Sequence, residues 1–298
     1  MQVLGFPESL PQARQLADTL DCECLSIEVH RFPDGESLVT VPAQLQKTVV
    51  FFRSLNNPNE KLVELLLAIE TARRNGCKRV ILVTPYLCYM RQDMAFKPGQ
   101  AISQRIIGEL LSEWVDDLIT VDPHLHRIHH LNIALPYCNS TALSAAPLLG
   151  EFLKAQGVKG LLVGPDDESR QWVQQVADAS GNAFVVASKE RFGDRNVEVT
   201  LPEHDYKGQH AILVDDVISS GKTLMEAAQA LRAKGATRIS AICTHALFAP
   251  GAEEAMKEAG IDAVWSSNAI PHSSNHIDLT AILADAIHAT LGEPHDAQ

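Results

Sequence analysis

The segment AILVDDVISSGKTL, residues 211–224, constrains the fold of this chain more than any other part of the sequence. Residues 211–214 are all apolar, which is typical of a strand buried in a parallel sheet. From Thr223 onward the apolar residues recur at helical spacing, at Leu224, Ala227, Ala228 and Leu231. A buried strand that passes through a short turn into an amphipathic helix predicts an α/β fold.

Polar residues fill the connection between this strand and this helix. Asp215 and Asp216 stand at the carboxyl end of the predicted strand, where open α/β sheets bind ligands. Small and hydroxyl-bearing residues follow at a helix N-terminus: Ser219, Ser220, Gly221, Lys222 and Thr223. Backbone N–H groups, hydroxyls and the positive end of the helix dipole meet there, which suits a phosphate group.

Three interpretations of this segment were compared. A nucleotide P-loop is excluded because its first glycine would fall on Asp216. A strand, turn and helix without any ligand is the simplest alternative. An acidic pair followed by a Ser/Gly/Thr turn instead resembles the phosphoribosyl-binding loop of type I phosphoribosyltransferases. That resemblance implies that the acids bind ribose hydroxyls and that the turn binds the 5-phosphate.

Length and composition limit the function. The 298 residues predict two domains, and an apolar content of 46% excludes a disordered chain. A net charge of −12 argues against a nucleic-acid or anionic-membrane partner, so an anionic substrate needs local cations or a metal ion. No apolar run approaches the roughly 18 residues of a membrane span. The six cysteines form no CxxC pair, so we expect a cytoplasmic protein with reduced thiols.

A second pattern predicts a hairpin in the first half. IEVHRFPDGESLVTV has two extended runs around Asp34-Gly35, a pair that favours a tight turn. Its simplest interpretation is a solvated surface hairpin with Asp34 and Glu36 at the tip. Phe32 lies beside these two acceptors, however, and an aromatic ring there could stack on a base while the acceptors read it.

A long polar loop follows a strand predicted at 79–84 and precedes a helix predicted from Ser103 to Trp114. Loops of this length in compact domains are commonly functional. Gln92 can bond an adenine edge through both of its amide groups, and Arg91 can contact phosphate or stack on a base. With Asp93, these residues are the candidate nucleotide contacts of the loop.

Four histidines follow a strand predicted to end at Asp122, at positions 124, 126, 129 and 130. No second group of soft ligands accompanies them, so the pattern does not favour a zinc site. His126 and His130 have helical spacing, which is typical of a solvent-facing helix. His124 differs because it lies just past the strand end, at the level where ligands bind in such sheets.

Charged residues follow two further strands in the second half. A strand at 160–163 leads to Asp166, which could cap the next helix or face a ligand. After a strand at 183–187, Lys189 and Arg191 lie two residues apart and would point the same way if extended. In an acidic protein, two such cations ahead of the phosphate-binding strand suggest stabilisation of an anionic transition state.

The two halves of the sequence repeat each other. VTPYLCYMRQD aligns with VGPDDESRQWV and TVDPHLHRIHHL with LVDDVISSGKTL, which matches Pro85 with Pro165 and Asp122 with Asp215. In this alignment the first half lacks the phosphate turn and carries His124 in its place. We expect domains at 1–142 and 143–298, the first for a nucleotide and the second for a sugar phosphate.

Taken in order, these motifs resemble the ribose-phosphate pyrophosphokinase family, also called phosphoribosyl pyrophosphate synthetases. The matching segments run almost from end to end of the chain: RFPDGE, NNPNEKLVELLLAIETARR, VTPYLCYMRQD, FKPGQAIS, TVDPH, VGPD, SKER, LVDDVISSGKT, THALF and NAIP. The resemblance implies two tandem phosphoribosyltransferase-like α/β domains, each a mostly parallel sheet flanked by helices, with the last helix tending to pack on the first domain. The implied reaction transfers the diphosphoryl group of ATP to ribose 5-phosphate and releases AMP.

The same resemblance assigns roles to the candidate residues. Ribose 5-phosphate would be held by Asp215, Asp216, Ser219, Ser220, Gly221, Lys222 and Thr223. ATP would be held by Arg91, Gln92 and Asp93, with Phe32, Asp34 and Glu36 supplied by a neighbouring subunit of a dimer-based homo-oligomer, a tetramer or hexamer. Mg²⁺ would be bound by His124 and Asp166, and Lys189 and Arg191 would close over the phosphates as the catalytic residues.

Two other functions remain open. A phosphoribosyltransferase that uses phosphoribosyl pyrophosphate would need only the second half, which leaves RFPDGE and MRQD unexplained. A non-catalytic regulatory subunit of a synthetase typically loses the cationic segment, which is present here. The chain also departs from the family pattern at Asp167, Glu168 and Ser169, and around Arg53, where the family's regulatory region matches poorly.

Overall fold

The computed structural model describes residues 1–125, 130–192 and 196–292, with the backbone alone for 189–192 and 196–198. The chain divides into two compact units. One is formed by Met1–Leu143 with the C-terminal segment from Thr280, and the other by Ser144–Leu279. Within the described ranges, no helix is both long and apolar enough to cross a bilayer.

The first unit is built around a parallel sheet. Its strands are β1 (Gln2–Gly5), β2 (Glu23–Ser26), β3 (Glu28–Arg31), β4 (Ser37–Thr40), β5 (Thr48–Phe52), β6 (Arg79–Val83), β7 (Asp117–Val121) and β8 (Asn139–Leu143). Six of them form the sheet in the order β2-β1-β5-β6-β7-β8, while β3 and β4 form a separate antiparallel hairpin. Its first three helices are α1 (Leu10–Thr19), α2 (Pro58–Arg74) and α3 (Ser103–Trp114).

A second parallel sheet forms the other unit. Its strands are β9 (Leu161–Gly164), β10 (Phe184–Val186), β11 (Ser188–Phe192), β12 (Asn196–Thr200), β13 (His210–Ile218), β14 (Arg238–Ala246), β15 (Ala263–Ser267) and β16 (Asn275–Ile277). The sheet order is β10-β9-β13-β14-β15-β16, and β11 and β12 form an antiparallel ribbon. The helices are α4 (Ala146–Ala155), α5 (Arg170–Ser180), α6 (Lys222–Ala233) and α7 (Ala252–Glu258). The last helix, α8 (Thr280–Gly292), packs against α1 and β7 of the first unit.

The predicted α/β class is confirmed, and apolar spacing explains the helices. α2 buries Leu62, Leu65 and Ile69 on one face, and the chain leaves the helix at Gly76, whose φ of +98° a residue with a side chain rarely adopts. α6 buries Leu224, Ala227, Ala228 and Leu231, the four residues that the sequence predicts. The sheets lie between such faces, which is why their strands are continuous apolar runs.

The two sheets have the same topology. Numbered along the chain within its own unit, each sheet has the strand order 2-1-3-4-5-6, and each unit inserts an antiparallel pair of strands between the second and third strands. The first strands also lead into similar segments, QVLGFPES at residues 2–9 and LLVGPDDES at 161–169, each with a 3₁₀ turn before a helix. The sequence therefore contains the predicted internal repeat.

The register predicted for that repeat is wrong. Pro85 follows β6, the fourth strand of its sheet, whereas Pro165 follows β9, the first strand of the other. Asp122 follows the fifth strand of its sheet, whereas Asp215 lies in the third. Every strand of a parallel sheet is an apolar run followed by a polar loop, so local similarity alone does not identify equivalent strands. The topology matches β5 with β13.

Candidate functional site

The carboxyl end of the second sheet gathers acidic residues. β13 continues to Ile218 instead of ending before the acidic pair, because β14 pairs with it as far as Ala246. On its other side, pairing with β9 ends at Leu213. Asp215 and Asp216 therefore lie in the part of β13 that extends past β9, at the edge where ligands bind in such sheets.

Three carboxylates lie close together at this edge. Asp216 is 3% exposed, and its backbone N–H donates to Asp215 Oδ1 at 3.0 Å. Burial and the negative charges of Asp216 and Asp166 raise the pKa of Asp215 well above its usual range. The ionised form of Asp215 is therefore disfavoured, and a bound cation or hydroxyl donors would stabilise it.

Asp166 also caps the turn that follows β9. Its Oδ1 accepts from the backbone N–H of Ser169 at 3.2 Å, and the Ser169 hydroxyl donates to the Asp166 carbonyl at 2.6 Å. The capping interpretation is therefore confirmed for Asp166, in addition to its effect on Asp215. Asp167 and Glu168 are exposed, so the departure from the family pattern adds charge at the surface of this turn.

The hydroxyl-rich turn follows β13 directly. Three backbone N–H groups of the loop after β14 donate to the carbonyls of Ile218 and Ser219 at 3.0 Å, which fixes the start of the turn. Gly221 has a φ of +69° and immediately precedes α6, where the Lys222 N–H donates to the Ser220 hydroxyl at 3.4 Å. Exposed N–H groups at a helix start are suited to an anion. The predicted strand, turn and helix are therefore present around residues 219–223.

Phe248, the last residue of the THALF segment, supports this turn. It lies in the loop after β14 with a φ of +30°, a conformation that a non-glycine residue adopts at a free-energy cost of about 1–3 kcal/mol. Its ring stacks on His272 with centroids 4.5 Å apart, and His272 Nε2 lies 3.3 Å from a Glu253 carboxylate oxygen. Backbone strain of this kind has no signature in the sequence.

The segment of Lys189 and Arg191 forms a strand, although the sequence predicts a polar loop there. β11 pairs antiparallel with β12, with Lys189 opposite Val199 and Arg191 opposite Val197. The sequence predicts a short strand at 196–200, which is β12, but the polar composition of β11 gave no strand signal, since this ribbon stands outside the main sheet and needs no continuous apolar face. It occupies the same topological position as the β3–β4 hairpin of the first unit.

In the first unit, His124 is half-buried beyond the end of β7. Asp122 lies between the end of β7 and His124 and has a φ of +38°. Its N–H donates to the carbonyl of Leu143 at 2.8 Å. Non-glycine residues held in this conformation concentrate at functional sites. His126 and His129 lie outside the described residues, so their predicted helical face is not described, and His130 is exposed.

The loop after β6 is held against the start of α3. The buried Gln104 donates from Nε2 to a loop carbonyl at 2.9 Å, and its N–H donates to the Gln92 carbonyl at 3.1 Å. The Ser103 hydroxyl donates to Gln92 Oε1 at 2.8 Å, which orients the amide. Arg91 is exposed, and Gln92 and Asp93 are half-buried. The predicted nucleotide contacts therefore lie on a loop with defined anchors.

The β3–β4 hairpin has the predicted turn. The Phe32 N–H donates to the Glu36 carbonyl at 2.8 Å, and the Glu36 N–H donates to Asp34 Oδ1 at 3.2 Å. All three side chains are exposed, with Phe32 at 42%. An exposed aromatic ring beside two carboxylates is suited to a ligand or a second protein surface.

In the first unit, a buried arginine occupies the position that corresponds to the acidic pair of the second unit. The strand registers align Arg53, which follows β5, with Asp215. Arg53 is 1% exposed, lies over the Phe6 ring at 3.8 Å and pairs with Glu8 and Glu64. The protein's own side chains therefore fill this end of β5, and the first unit cannot hold a second sugar phosphate in the same way.

The described part of the chain contains no group of three His, Cys, Asp or Glu side chains arranged to hold a metal ion. The two predicted metal ligands, His124 and Asp166, belong to different units. A metal ion at either place would need ligands from substrate or water in addition to the protein. Mg²⁺ commonly binds in this way, through one or two carboxylates, phosphates and several waters.

Comparison with known proteins identifies relatives of both halves. The family described as the N-terminal domain of ribose phosphate pyrophosphokinase matches residues 1–114, and the phosphoribosyl transferase domain matches residues 148–280. A ribose-phosphate pyrophosphokinase of Methanopyrus kandleri is 36% identical over 292 residues, covering 96% of this chain and 98% of the relative. Ribose-phosphate pyrophosphokinase 2 of Archaeoglobus fulgidus is 31% identical, with coverage of 96% and 100%.

A solved structure shows the same fold. The crystal structure of phosphoribosylpyrophosphate synthetase from Mycobacterium smegmatis has a TM-score of 0.80 to this chain and covers 97% of it, at 24% sequence identity. The predicted arrangement of two phosphoribosyltransferase-like α/β halves is therefore confirmed.

Proposed function

Since this chain belongs to the ribose-phosphate pyrophosphokinase family, we propose that it transfers the diphosphoryl group of ATP to the anomeric hydroxyl of ribose 5-phosphate. The products are phosphoribosyl pyrophosphate, a precursor in nucleotide biosynthesis, and AMP. The observation that carries this function is the similarity to named pyrophosphokinases over both halves of the chain. A phosphoribosyltransferase would leave the first half without a role, and the similarity does not favour a regulatory subunit.

The second unit is the proposed ribose 5-phosphate side. Residues 219–223 bind the 5-phosphate through backbone N–H groups and hydroxyls, and Asp215 and Asp216 accept from the ribose hydroxyls. Two observations support this assignment: the N-cap residue of α6 is Gly221, which has no side chain to cap the helix, and burial beside other acids raises the pKa of Asp215. Hydroxyl donors and a cation both stabilise the ionised form of such a carboxylate.

The first unit is the proposed ATP side. Arg91, Gln92 and Asp93 contact the nucleotide, and Lys189 and Arg191 on β11 stabilise the charge that develops on the phosphates as the diphosphoryl group moves. Phosphoryl transfer depends on positioning and on charge neutralisation more than on covalent chemistry, so a pair of cations is a sufficient catalytic apparatus.

Mg²⁺ is the proposed cofactor. The carboxylates of Asp166, Asp215 and Asp216 supply the hard oxygen atoms that Mg²⁺ prefers, and the charges of Asp216 and Asp166 disfavour the ionised form of Asp215. Substrate oxygens or water would complete the coordination of a metal ion there. His124 is the proposed ligand of the first unit. When bound, Mg²⁺ neutralises phosphate charge and so allows an acidic protein to accept anionic substrates.

A homo-oligomer with an active site shared between subunits is the proposed assembly. All the large apolar side chains exposed in the described structure belong to the first unit, including Val63 and Leu67 on α2 and Ile106 and Leu110 on α3. Such surfaces mark interfaces between chains. The exposed tip of the β3–β4 hairpin then completes the ATP site of a neighbour. The proposed location is the cytoplasm, where the six free cysteines stay reduced.

A direct assay tests the proposed reaction. ATP and ribose 5-phosphate with Mg²⁺ should yield AMP and phosphoribosyl pyrophosphate in equal amounts. A phosphoribosyltransferase would instead consume phosphoribosyl pyrophosphate in the presence of a base, and a regulatory subunit would be inactive alone. Absence of AMP from the full-length oligomer would contradict the proposal.

Asp34→Ala should raise KM for ATP by about tenfold, since the variant loses one hydrogen-bond acceptor for the nucleotide. KM for ribose 5-phosphate should stay unchanged. Steady-state kinetics at several protein concentrations, combined with sedimentation, would test the shared site as well. A fully active monomer would show that no neighbour supplies the hairpin.

Gly221→Ala should raise KM for ribose 5-phosphate by about tenfold or more, because the phosphate turn must shift. A Cβ at this position would lie 2.6 Å from the sulfur of Met256, so the turn or α7 has to move. Gly181→Ala is the matched control, since Gly181 has a similar φ of +72° with nothing within 4 Å of an added Cβ. Both variants should lose about 1 kcal/mol of stability, and an equal KM change in both would contradict the assignment.

A further inference from the structure

One buried carboxylate joins the β3–β4 hairpin to the sheet of the first unit. Glu64 lies in α2 and is 1% exposed. Its Oε1 accepts from Arg31 Nε at 3.3 Å and from the Ser37 hydroxyl at 3.1 Å. Arg31 is the last residue of β3 and Ser37 the first of β4, and the two are paired in register. A single oxygen atom therefore holds both strands at the base of the turn.

The other oxygen of the same carboxylate is anchored in the core. Glu64 Oε2 accepts from Arg53 Nη2, and Arg53 also donates to Glu8 Oε1 at 2.7 Å and to the Lys61 carbonyl at 3.1 Å. Arg53 is the residue that stands in place of the acidic pair of the second unit. The end of β5, which corresponds to the acidic end of β13, thus forms a fixed base for the hairpin.

We infer that Glu64 is a positioning residue for ATP recognition, acting through Arg31 and Ser37 to hold the turn of Phe32, Asp34 and Glu36. This inference rests on the proposed ATP-binding role of the hairpin. Val29 and Val39 pack the strands of the hairpin against the core, whereas the turn itself is exposed and lies outside the sheet. A loosened turn would bind the nucleotide less tightly, because ordering the turn would then oppose binding.

Arg31 offers a cleaner test than Glu64. Removing Glu64 would take from the buried Arg53 one of its two carboxylate partners, which destabilises a protein strongly whatever its function. Arg31→Ala instead breaks only the hairpin side of the contact, because the Arg31 side chain is 55% exposed and the Arg53–Glu64 pair remains. Glu60→Gln is the matched control, since Glu60 also lies on α2 and pairs with the same Arg31 at 2.6 Å, but its side chain is 66% exposed whereas that of Glu64 is buried.

In the full-length oligomer, Arg31→Ala should raise KM for ATP about tenfold and lower the preference for ATP over GTP, as expected for one lost charge-assisted hydrogen bond. The kcat, KM for ribose 5-phosphate and melting temperature should stay close to those of the wild type. Glu60→Gln should change none of these values. A KM for ATP that is unchanged in Arg31→Ala, or raised equally in Glu60→Gln, would overturn the inference, and so would a uniform loss of activity that follows a lower melting temperature.

Amide hydrogen exchange provides a readout that does not depend on catalysis. The N–H groups of Phe32 and Gly35 donate within the turn at 2.8 and 2.9 Å, so their protection reports its order. Arg31→Ala should lower this protection, and Glu60→Gln should not. If the wild type makes no AMP, the proposed function fails, but this exchange difference still decides whether Glu64 orders the hairpin. Equal protection in all three proteins would overturn the positioning role.

Discussion

Lys189→Ala is expected to lower kcat by about 100- to 1,000-fold, the effect of removing one preorganised group that stabilises transition-state charge. KM for ribose 5-phosphate should stay within about twofold of its wild-type value, because the proposed contacts of Lys189 form only as the diphosphoryl group moves. Arg191→Ala should have a similar effect. The double variant should lose less than the product of the two single effects, since residues that act as a unit are non-additive.

Steady-state kinetics with AMP detection measures this prediction, and Lys207→Ala is its control. Lys207 is an exposed lysine of the same unit in the loop before β13, so its removal changes net charge equally without touching the proposed site. It should keep nearly full activity. If Lys189→Ala weakened ribose 5-phosphate binding as much as turnover, the residue would act in ground-state binding, and the catalytic assignment would be wrong.

The β9 and β13 segments show how far the sequence alone determines the site. The apolar run before Asp215 and the small residues after Ile218 predict both the strand and the turn, because each depends on local chemistry. That Asp166 lies near Asp215 follows only from the sheet order, in which β9 and β13 are neighbours. Sequence spacing could not supply this neighbour, since the two acids are 49 positions apart and three strands, β10, β11 and β12, lie between them.

The strands and the helix that were not predicted have a weak signal in the sequence. β8, β16 and α4 were not predicted, and β8 and β16 lie at the edges of their sheets, where one side of the strand lacks a neighbour. Edge strands need less apolar sequence than central ones, and NSTAL carries little strand signal. The Arg53–Glu64 pair was missed for another reason. An arginine after a strand is usually solvated, and only the tertiary structure shows that it is buried.

The matching topologies are compatible with the different roles proposed for the two halves. Both units begin with the same sheet and the same inserted pair of strands, but the third strand ends in Asp215 and Asp216 in one and in Arg53 in the other. The acidic end keeps an environment that favours hydroxyls and a cation. The arginine end is internally neutralised and supports a hairpin instead. A duplicated fold therefore provides two different surfaces without any change in its strand order.

Asp215→Asn is expected to raise KM for ribose 5-phosphate about 100-fold, which is the range for losing charged hydrogen bonds to a ligand. The same substitution should make the protein more stable. The opposite signs have one cause. Burial and the charges of Asp216 and Asp166 disfavour the ionised form of Asp215, so its pKa is raised in the folded state. An amide carries no such charge, and it also relieves the repulsion on Asp216. Functional carboxylates commonly reduce stability in this way.

The raised pKa of Asp215 also determines how the stability of the protein changes with pH. Between the unfolded pKa of an aspartate, about 3.9, and the raised pKa of the folded state, the folded protein keeps a proton that the unfolded chain has lost. The free energy of unfolding of the wild type therefore falls as pH rises through this window. Asp215→Asn lacks this contribution, so its advantage in melting temperature should be absent at low pH and should grow toward neutral pH.

Melting curves without Mg²⁺ or substrate, measured from acidic to neutral pH, test this prediction together with steady-state kinetics. Asp167→Asn is the control, since Asp167 lies next to Asp166 but has a side chain that is 74% exposed. It should change neither stability nor KM. Adding Mg²⁺ with ribose 5-phosphate should stabilise the wild type more than Asp215→Asn, because only the wild type offers both carboxylates to them. An Asp215→Asn variant that is less stable than the wild type at neutral pH would contradict the mutual repulsion. One that binds ribose 5-phosphate normally would remove this edge of β13 from the sugar site.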